Sequence, residues 1–219
     1  MSPELANLIL TGVGETLYMV IVSTLVAYLL GVPLGVILYV TDSKGIHPNR
    51  LVNLTVGIVV NVLRSIPFLI LLVMILPFTR LVVGTTIGST ATIVPLVVAA
   101  APYVARMVES SLKEVDAGVL EAARAMGSSV LQMIVRVVLP EARPSLLLGA
   151  AISLATILGY SAMAGFVGGG GLGAIAVNYG YYRYQLDVML ITVVLLVIIV
   201  QIFQEGGLAL VRKTDKRLR

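Results

Sequence analysis

The sequence is dominated by long apolar runs, and these limit its fold more than any other feature. A helix needs roughly 20 apolar residues to cross a bilayer core of ~30 Å. With 58% hydrophobic and only 12% charged residues, the chain also has too little polar surface for a soluble domain. The sequence therefore predicts an all-α polytopic membrane protein, with residues 1–219 forming a single transmembrane domain. The five predicted spans are about Leu17–Tyr39, Leu51–Leu76, Ile87–Arg106, Ser145–Gly165 and Leu186–Leu210.

The distribution of basic residues predicts the orientation, because cytoplasmic segments are enriched in Lys and Arg. With the N-terminus outside and the C-terminus inside, twelve of the fifteen basic residues are cytoplasmic. Arg80 and Arg183 are then external, and Arg64 lies within the second span. The net charge of +4 is thus a topology signal and gives no reason to expect a nucleic-acid partner. The twelve are Lys44, Arg50, Arg106, Lys113, Arg124, Arg136, Arg143, Arg212, Lys213, Lys216, Arg217 and Arg219.

The longest polar segment, residues 107–144, lies between spans three and four and is cytoplasmic in this topology. Apolar residues recur in it at helical spacing, with acidic and basic residues between them. Asp116 is a candidate N-cap, Gly127 is expected to end the first helix, and Ser129 with Gln132 fits a capping box for a second one. Pro140 is expected to end that second helix. We therefore predict a helix-turn-helix finger, which could bind a protein, lie on the membrane or fold back onto the chain.

The finger carries a motif that resembles the EAA loop of ABC importer permeases. The motif is Glu121-Ala122-Ala123, then Gly127, then a Val-Val-Leu-Pro ending at Leu139-Pro140. Only Val137, in place of Ile, departs from the family pattern. The resemblance implies a coupling helix that docks on a separate ATP-hydrolysing subunit. Glu121 and Gly127 would then mark the docking finger, with Ala122 and Ala123 allowing close approach.

A wider resemblance covers nearly the whole chain. The segments NVLRSIPFLILL, PFTRLVVGTTIGSTATIVPL, AAPYVARMVE and GYSAMAGFVGGGGLG, in this order, are similar to the permease subunits of methionine ABC importers. The resemblance implies a homodimer in the bacterial inner membrane, two ATP-binding subunits and an extracytoplasmic methionine-binding lipoprotein. It implies methionine import, with a permease for another small amino acid or solute as the alternative.

The chain shows no sign of binding a nucleotide itself. It has no G-x-x-x-x-G-K-[ST] motif, so ATP and Mg²⁺ are expected on a partner subunit, and no cofactor is expected in this chain. Gly168, Gly170 and Gly173 match G-x-G-x-x-G, but the match follows a membrane helix without a preceding strand. These glycines are expected to form tight turns and close helix contacts.

Three residues are candidates for the translocation path or its gate. Arg64 lies in a membrane span, where a charge is costly unless it faces water or a partner. It could line the path, with Pro67 kinking the helix, or it could reach an interface or a structural partner near Asn61. Tyr160 and Met163 could likewise line the path or simply pack between helices.

Two other classes of membrane protein fit the sequence poorly. An intramembrane enzyme needs a nucleophile with a positioned base, but the chain has no cysteine, and its one histidine, His47, lies in a short loop. A secondary transporter needs carboxylates within the membrane, and the last span has acids only near its ends, at Asp187 and Glu205. We therefore expect a non-enzymatic permease subunit.

Overall fold

The computed structural model describes residues 3–214, and its regular structure is entirely helical over that range. Lys216, Arg217 and Arg219, which belong to the predicted basic tail, lie outside the described residues. Short turns of π-helix (Ile134–Val138 and Ala176–Tyr181) and of 3-10 helix (Gly165–Val167) adjoin the α-helices. The α-helices are α1 Pro3–Thr41, α2 Arg50–Ser65, α3 Phe68–Met74, α4 Leu76–Val83, α5 Ser89–Lys113, α6 Ala117–Ala125, α7 Val130–Met133, α8 Leu139–Glu141, α9 Arg143–Ala164, α10 Gly171–Ile175 and α11 Leu186–Thr214.

Four of the described helices, α1, α5, α9 and α11, are each long and apolar enough to cross a membrane. The pair α2 and α3 passes the same criterion only when the two are taken together, and they meet at an angle of 102°. The protein is therefore a helical membrane protein with four spans, or five if the bent pair counts as one. The predicted span Leu51–Leu76 corresponds to this bent pair. Its helix breaks because Ile66 is extended and Pro67 cannot continue a helical hydrogen-bond ladder.

The first and third membrane helices extend well beyond the predicted spans. The first helix begins at Pro3 and not near Leu17, so its 39 residues extend about 58 Å. The third runs on to Lys113, two turns beyond Arg106. Both extensions carry polar residues, which mask helical continuity when spans are recognised by hydrophobicity alone. The segment 107–144 is consequently part helix α5 and part finger.

The core of the bundle is the pairing of α1 with α5. Gly31 and Gly35 of α1 lie one turn apart and face the backbone of α5 directly. A Cβ atom on Gly35 would meet the carbonyl oxygen of Ala105 and the side chain of Val108 at less than 3 Å. Small residues four apart allow two membrane helices to approach closely, so van der Waals contact holds the pair together. The buried side chains around it include Met19, Val20, Leu96, Val104 and Leu112.

The glycine-rich segment after α9 folds back onto α1. The backbone N–H of Gly171 donates to Oε2 of Glu15 (2.7 Å), and that of Leu172 donates to Oγ1 of Thr16 (2.9 Å). Gly168 and Gly170 have φ of 82° and 78°, which side-chain-bearing residues rarely adopt. The expectation that this run forms tight turns and close helix contacts is confirmed.

Candidate functional site

The finger between α5 and α9 is built by local capping interactions. The Asp116 side chain accepts a hydrogen bond from the N–H of Gly118 and so caps α6. Ser129 and Gln132 form the reciprocal capping box predicted for α7. Two short helices, α6 and the segment that begins with α7, therefore flank one turn, as the sequence predicted.

The turn between these helices depends on Gly127. Its φ is 76°, and its N–H donates to the carbonyl of Arg124 (2.9 Å), while the N–H of Ser128 donates to that of Ala123 (3.1 Å). This pair of bonds is the Schellman motif, which satisfies the last carbonyls of a helix and needs a left-handed residue. Gly127 therefore ends α6 as expected.

The second half of the finger differs from the prediction at Pro140. The chain stays helical from Val130 through a π-helical turn at Ile134–Val138 and on to Glu141, so Pro140 does not end the helix. Pro140 lies in the first turn of α8, where a missing N–H costs little, and the π turn before it already shifts the hydrogen-bond pattern. Leu139 is half-buried and packs against the core, and Pro140 is exposed.

The motif residues divide between the two faces of α6. Ala123 is 2% exposed and packs inward, whereas Glu121 and Ala122 are exposed. Two large apolar side chains of the finger are also exposed, Met126 by 79% and Leu131 by 70%. Exposed apolar side chains beside charges are typical of a protein-binding surface. We call Glu121, Ala122, Met126 and Leu131 the finger surface.

A buried carboxylate joins the base of the finger to α2. Oε2 of Glu109 accepts from Nη1 of Arg106 (2.7 Å), and its Oε1 accepts from Nζ of Lys113 (2.8 Å). Nη2 of Arg106 also donates to the Gly57 carbonyl (3.2 Å) and to Oδ1 of Asn61 (3.0 Å). Asn61, near which a structural partner for Arg64 was suggested, therefore binds Arg106.

The loop between α1 and α2 joins the same network. Nζ of Lys113 donates to Oδ2 of Asp42 (2.8 Å), and Nη2 of Arg124 in α6 donates to the Ile46 carbonyl (3.3 Å). The hydrogen bond from Lys113, helped by the backbone N–H of Lys44, lowers the pKa of Asp42 to about 2. Sequence reasoning missed this network, although Arg106, Glu109 and Lys113 have the i, i+3 and i, i+4 spacing of helical ion pairs.

The predicted path residues are only partly brought together. Arg64 and Tyr160 line one cavity of about 170 Å³ beside the break between α2 and α3. We call it the break cavity; Phe68, Ala99 and Tyr103 also line it. Met163 is 44% exposed and lies one turn beyond Tyr160 on α9, but it does not line this cavity.

A bent helix pair, a capped finger and a cavity at the helix break together characterise a polytopic membrane protein. The sequence model of the binding-protein-dependent transport system inner membrane component family matches residues 31–214. The chain therefore belongs to this family of multi-pass inner-membrane proteins.

Individual relatives match over three quarters of the chain or more. The probable D-methionine transport system permease protein MetI of Vibrio cholerae is 52% identical over 97% of this chain and 94% of its own. The D-methionine transport system permease protein MetI of Escherichia coli is 51% identical over 75% of this chain and 76% of its own. A structure of the MetNI methionine ABC transporter in inward-facing conformations contains a chain that is 50% identical. It superposes with a TM-score of 0.97, covering 99% of this chain and all of that one.

Proposed function

We propose that this chain is the permease subunit of an ATP-driven, binding-protein-dependent importer that carries methionine across the bacterial inner membrane. The observation that carries the proposal is the 0.97 TM-score to a chain of the methionine transporter MetNI at 50% identity. The Vibrio cholerae and Escherichia coli relatives, named as probable D-methionine and D-methionine permeases, support the same substrate. Five spans, with the N-terminus outside and the C-terminus inside, agree with the distribution of Lys and Arg.

The proposed assembly contains two copies of this chain, two ATP-binding subunits and an extracytoplasmic methionine-binding lipoprotein. Five spans are too few to enclose a path alone, and a symmetric pair can enclose one on its twofold axis. The sequence has no phosphate-binding loop, so ATP and Mg²⁺ belong to the partner subunits. The exposed finger surface supports docking of these subunits on α6, with Glu121 at the contact.

The mechanism we propose is alternating access driven through the finger. Closure of the ATP-binding subunits moves α6. The hydrogen bonds from Arg124 to Ile46 and from Lys113 to Asp42 transmit that movement to the loop before α2. Arg106 passes it on to α2 itself. The spans then rock from an inward-open to an outward-open arrangement, in which the binding protein releases methionine into the path.

The path residues in this proposal are Arg64, Tyr160 and Met163. Arg64 and Tyr160 line the break cavity, and the exposed side chain of Met163 would form part of the outer gate at the dimer axis. A thioether adapts well to another thioether or to an aromatic ring, as a gate for methionine requires. A Met163→Ala importer should leak or transport more slowly; unchanged uptake and basal leak would reject the gate.

The direct test is uptake of labelled methionine by cells that lack their own importer. The cells receive the ATP-binding subunit and the binding protein, with or without this chain, and both enantiomers are supplied. Uptake that requires the chain and is blocked only by methionine-like competitors supports the proposal. If ATP is hydrolysed by the assembled complex but another amino acid enters instead, the importer class stands and methionine is wrong.

Docking through the finger is tested separately with Glu121→Lys. The reversed charge should reduce copurification of the ATP-binding subunit and abolish uptake. Glu114→Lys, at an exposed site at the base of the finger, serves as the charge-matched control and should retain assembly. Full assembly and uptake with Glu121→Lys would contradict docking through the finger.

A further inference from the structure

The break cavity lies where the backbone of the α2–α3 pair is not helical. Ile66 is extended (φ −82°, ψ 124°), and Pro67 has no N–H to donate. Irregular backbone at membrane depth is tolerated where it is buried in protein or lines a water-filled cavity. Discontinuous helices in transporters commonly form solute sites for the same reason. The break therefore marks a place where a polar solute can be accommodated inside the bundle.

Arg64 gives this cavity a positive charge without a neutralising partner. Its side chain is exposed and, within residues 3–214, forms no ion pair or hydrogen bond with protein groups. None of the cavity's lining residues in the described chain is acidic. A guanidinium presents parallel N–H donors that match a carboxylate. An anionic group with two oxygens is therefore the complementary ligand.

Three of the seven residues that line the cavity are aromatic. The rings of Phe68 and Tyr160 stack with centroids 4.7 Å apart and planes 5° from parallel, which joins α3 to α9 beside the cavity. Tyr103 of α5 adds a third ring. Aromatic faces and edges bind apolar side chains and thioether sulfur well. The wall is suited to the apolar end of a small molecule whose anionic end lies at Arg64.

We propose that the break cavity is a binding site within each permease subunit for the solute in transit. Arg64 binds its carboxylate, and the stacked Phe68–Tyr160 pair contacts its apolar side chain. This inference rests on the proposed importer function and adds to it the part of the solute that the permease itself recognises. The described residues that line the cavity include no acid to bind the α-amino group, so the proposed site recognises the carboxylate and the side chain. The 2-hydroxy analogue of methionine should therefore bind, and methionine amide, which lacks the carboxylate, should not.

The test uses the absence of cysteine in the chain. Ala99→Cys places a single thiol on the wall of the break cavity, and its modification by a small thiol reagent is timed in the assembled importer without binding protein. Methionine, its 2-hydroxy analogue and its amide are added in turn. Thr90→Cys, at an exposed position of α5 about 13 Å from Ala99 along the helix axis, is the control thiol.

We expect methionine and its hydroxy analogue to slow modification of the Ala99→Cys thiol, and the amide to leave it unchanged. Adding Arg64→Gln should raise the concentration of methionine for half-protection about tenfold or more, because a charge-assisted hydrogen bond is lost. Arg64→Lys should fall between the two. The amide comparison uses the native Arg64, so it remains decisive if the Arg64 variants do not fold.

The inference would be overturned by a lack of protection by methionine, by equal protection by the amide, or by undiminished protection with Arg64→Gln. Protection by anionic phospholipid without methionine would also overturn it, since Arg64 would then bind a lipid phosphate. Uptake by the unaltered chain is measured in parallel. Methionine uptake without protection of the thiol refutes only the binding site in the cavity. Absence of uptake refutes the importer proposal, and the labelling result then still shows whether the cavity binds methionine.

Discussion

Nζ of Lys113, at the end of α5, lies 2.8 Å from Oδ2 of Asp42, in the loop that follows α1. The same ammonium lies 2.8 Å from Oε1 of Glu109, which in turn binds Arg106. One side chain thus connects the base of the finger, the core helix pair and the loop leading to the bent helices. These ion pairs fix the last turns of α5 to the loop between α1 and α2.

The Asp42–Lys113 ion pair should make the stability of the protein depend on pH. The pKa of Asp42 is lowered from 3.8 to about 2, so its ionised form contributes stability above pH 3.8, and this is lost as pH falls towards 2. Asp42→Asn should lower the thermal unfolding midpoint slightly at pH 7, since the pair is partly exposed. The difference from the native chain should shrink below about pH 4. A difference that stayed constant from pH 7 to pH 3 would show that the carboxylate charge is not responsible.

Replacing Glu109 by Gln should destabilise the protein more than replacing an exposed acid nearby. Glu109 is buried between Arg106 and Lys113, and Gln leaves two cations close together without the anion between them. The two cations keep some access to water, so we expect a loss of about 1–3 kcal/mol. Thermal unfolding in detergent measures it, with Glu114→Gln as the matched control. Equal shifts for both variants would contradict the role of the network.

Gly35→Ala should separate α1 from α5. The added Cβ would approach the Ala105 carbonyl and Val108 at less than 3 Å, and backbone cannot move aside as a flexible side chain can. Overpacking of this kind costs about 1–3 kcal/mol. Gly14→Ala in the same helix meets nothing within 4 Å, so it should be neutral or slightly stabilising. Comparing the unfolding midpoints checks the prediction, and equal destabilisation by both would refute close packing as the cause.

Substitutions of Gly127 should strain the backbone without causing a steric clash. A Cβ there meets nothing within 4 Å, but its φ of 76° is unfavourable for a β-branched residue. Gly127→Val should therefore distort the turn and reduce uptake and copurification of the ATP-binding subunit. Gly127→Asn should retain most of both, because Asn tolerates the left-handed region. If Asn and Val were equally harmful, the side chain itself would be blocking the docked surface.

The sequence by itself determined the class of protein and the local form of the finger. An apolar run of membrane length is continuous in the sequence, so it predicts a membrane helix directly. The helix caps at Asp116, Gly127 and Ser129 involve residues only a few positions apart, so the sequence predicts them too. Local hydrophobicity could not show that the second span bends by 102°, nor that the helix continues through Pro140.

Only the tertiary structure decided which distant residues meet. Arg64 and Tyr160 lie 96 positions apart in the chain and line one cavity. Asn61 is used by Arg106 and not by the nearer Arg64. The N–H of Gly171, in the glycine run, donates a hydrogen bond to Glu15, which lies 156 positions earlier in the chain. Such contacts depend on how helices pack against one another, and helix packing is fixed by surfaces that come together only after the chain has folded.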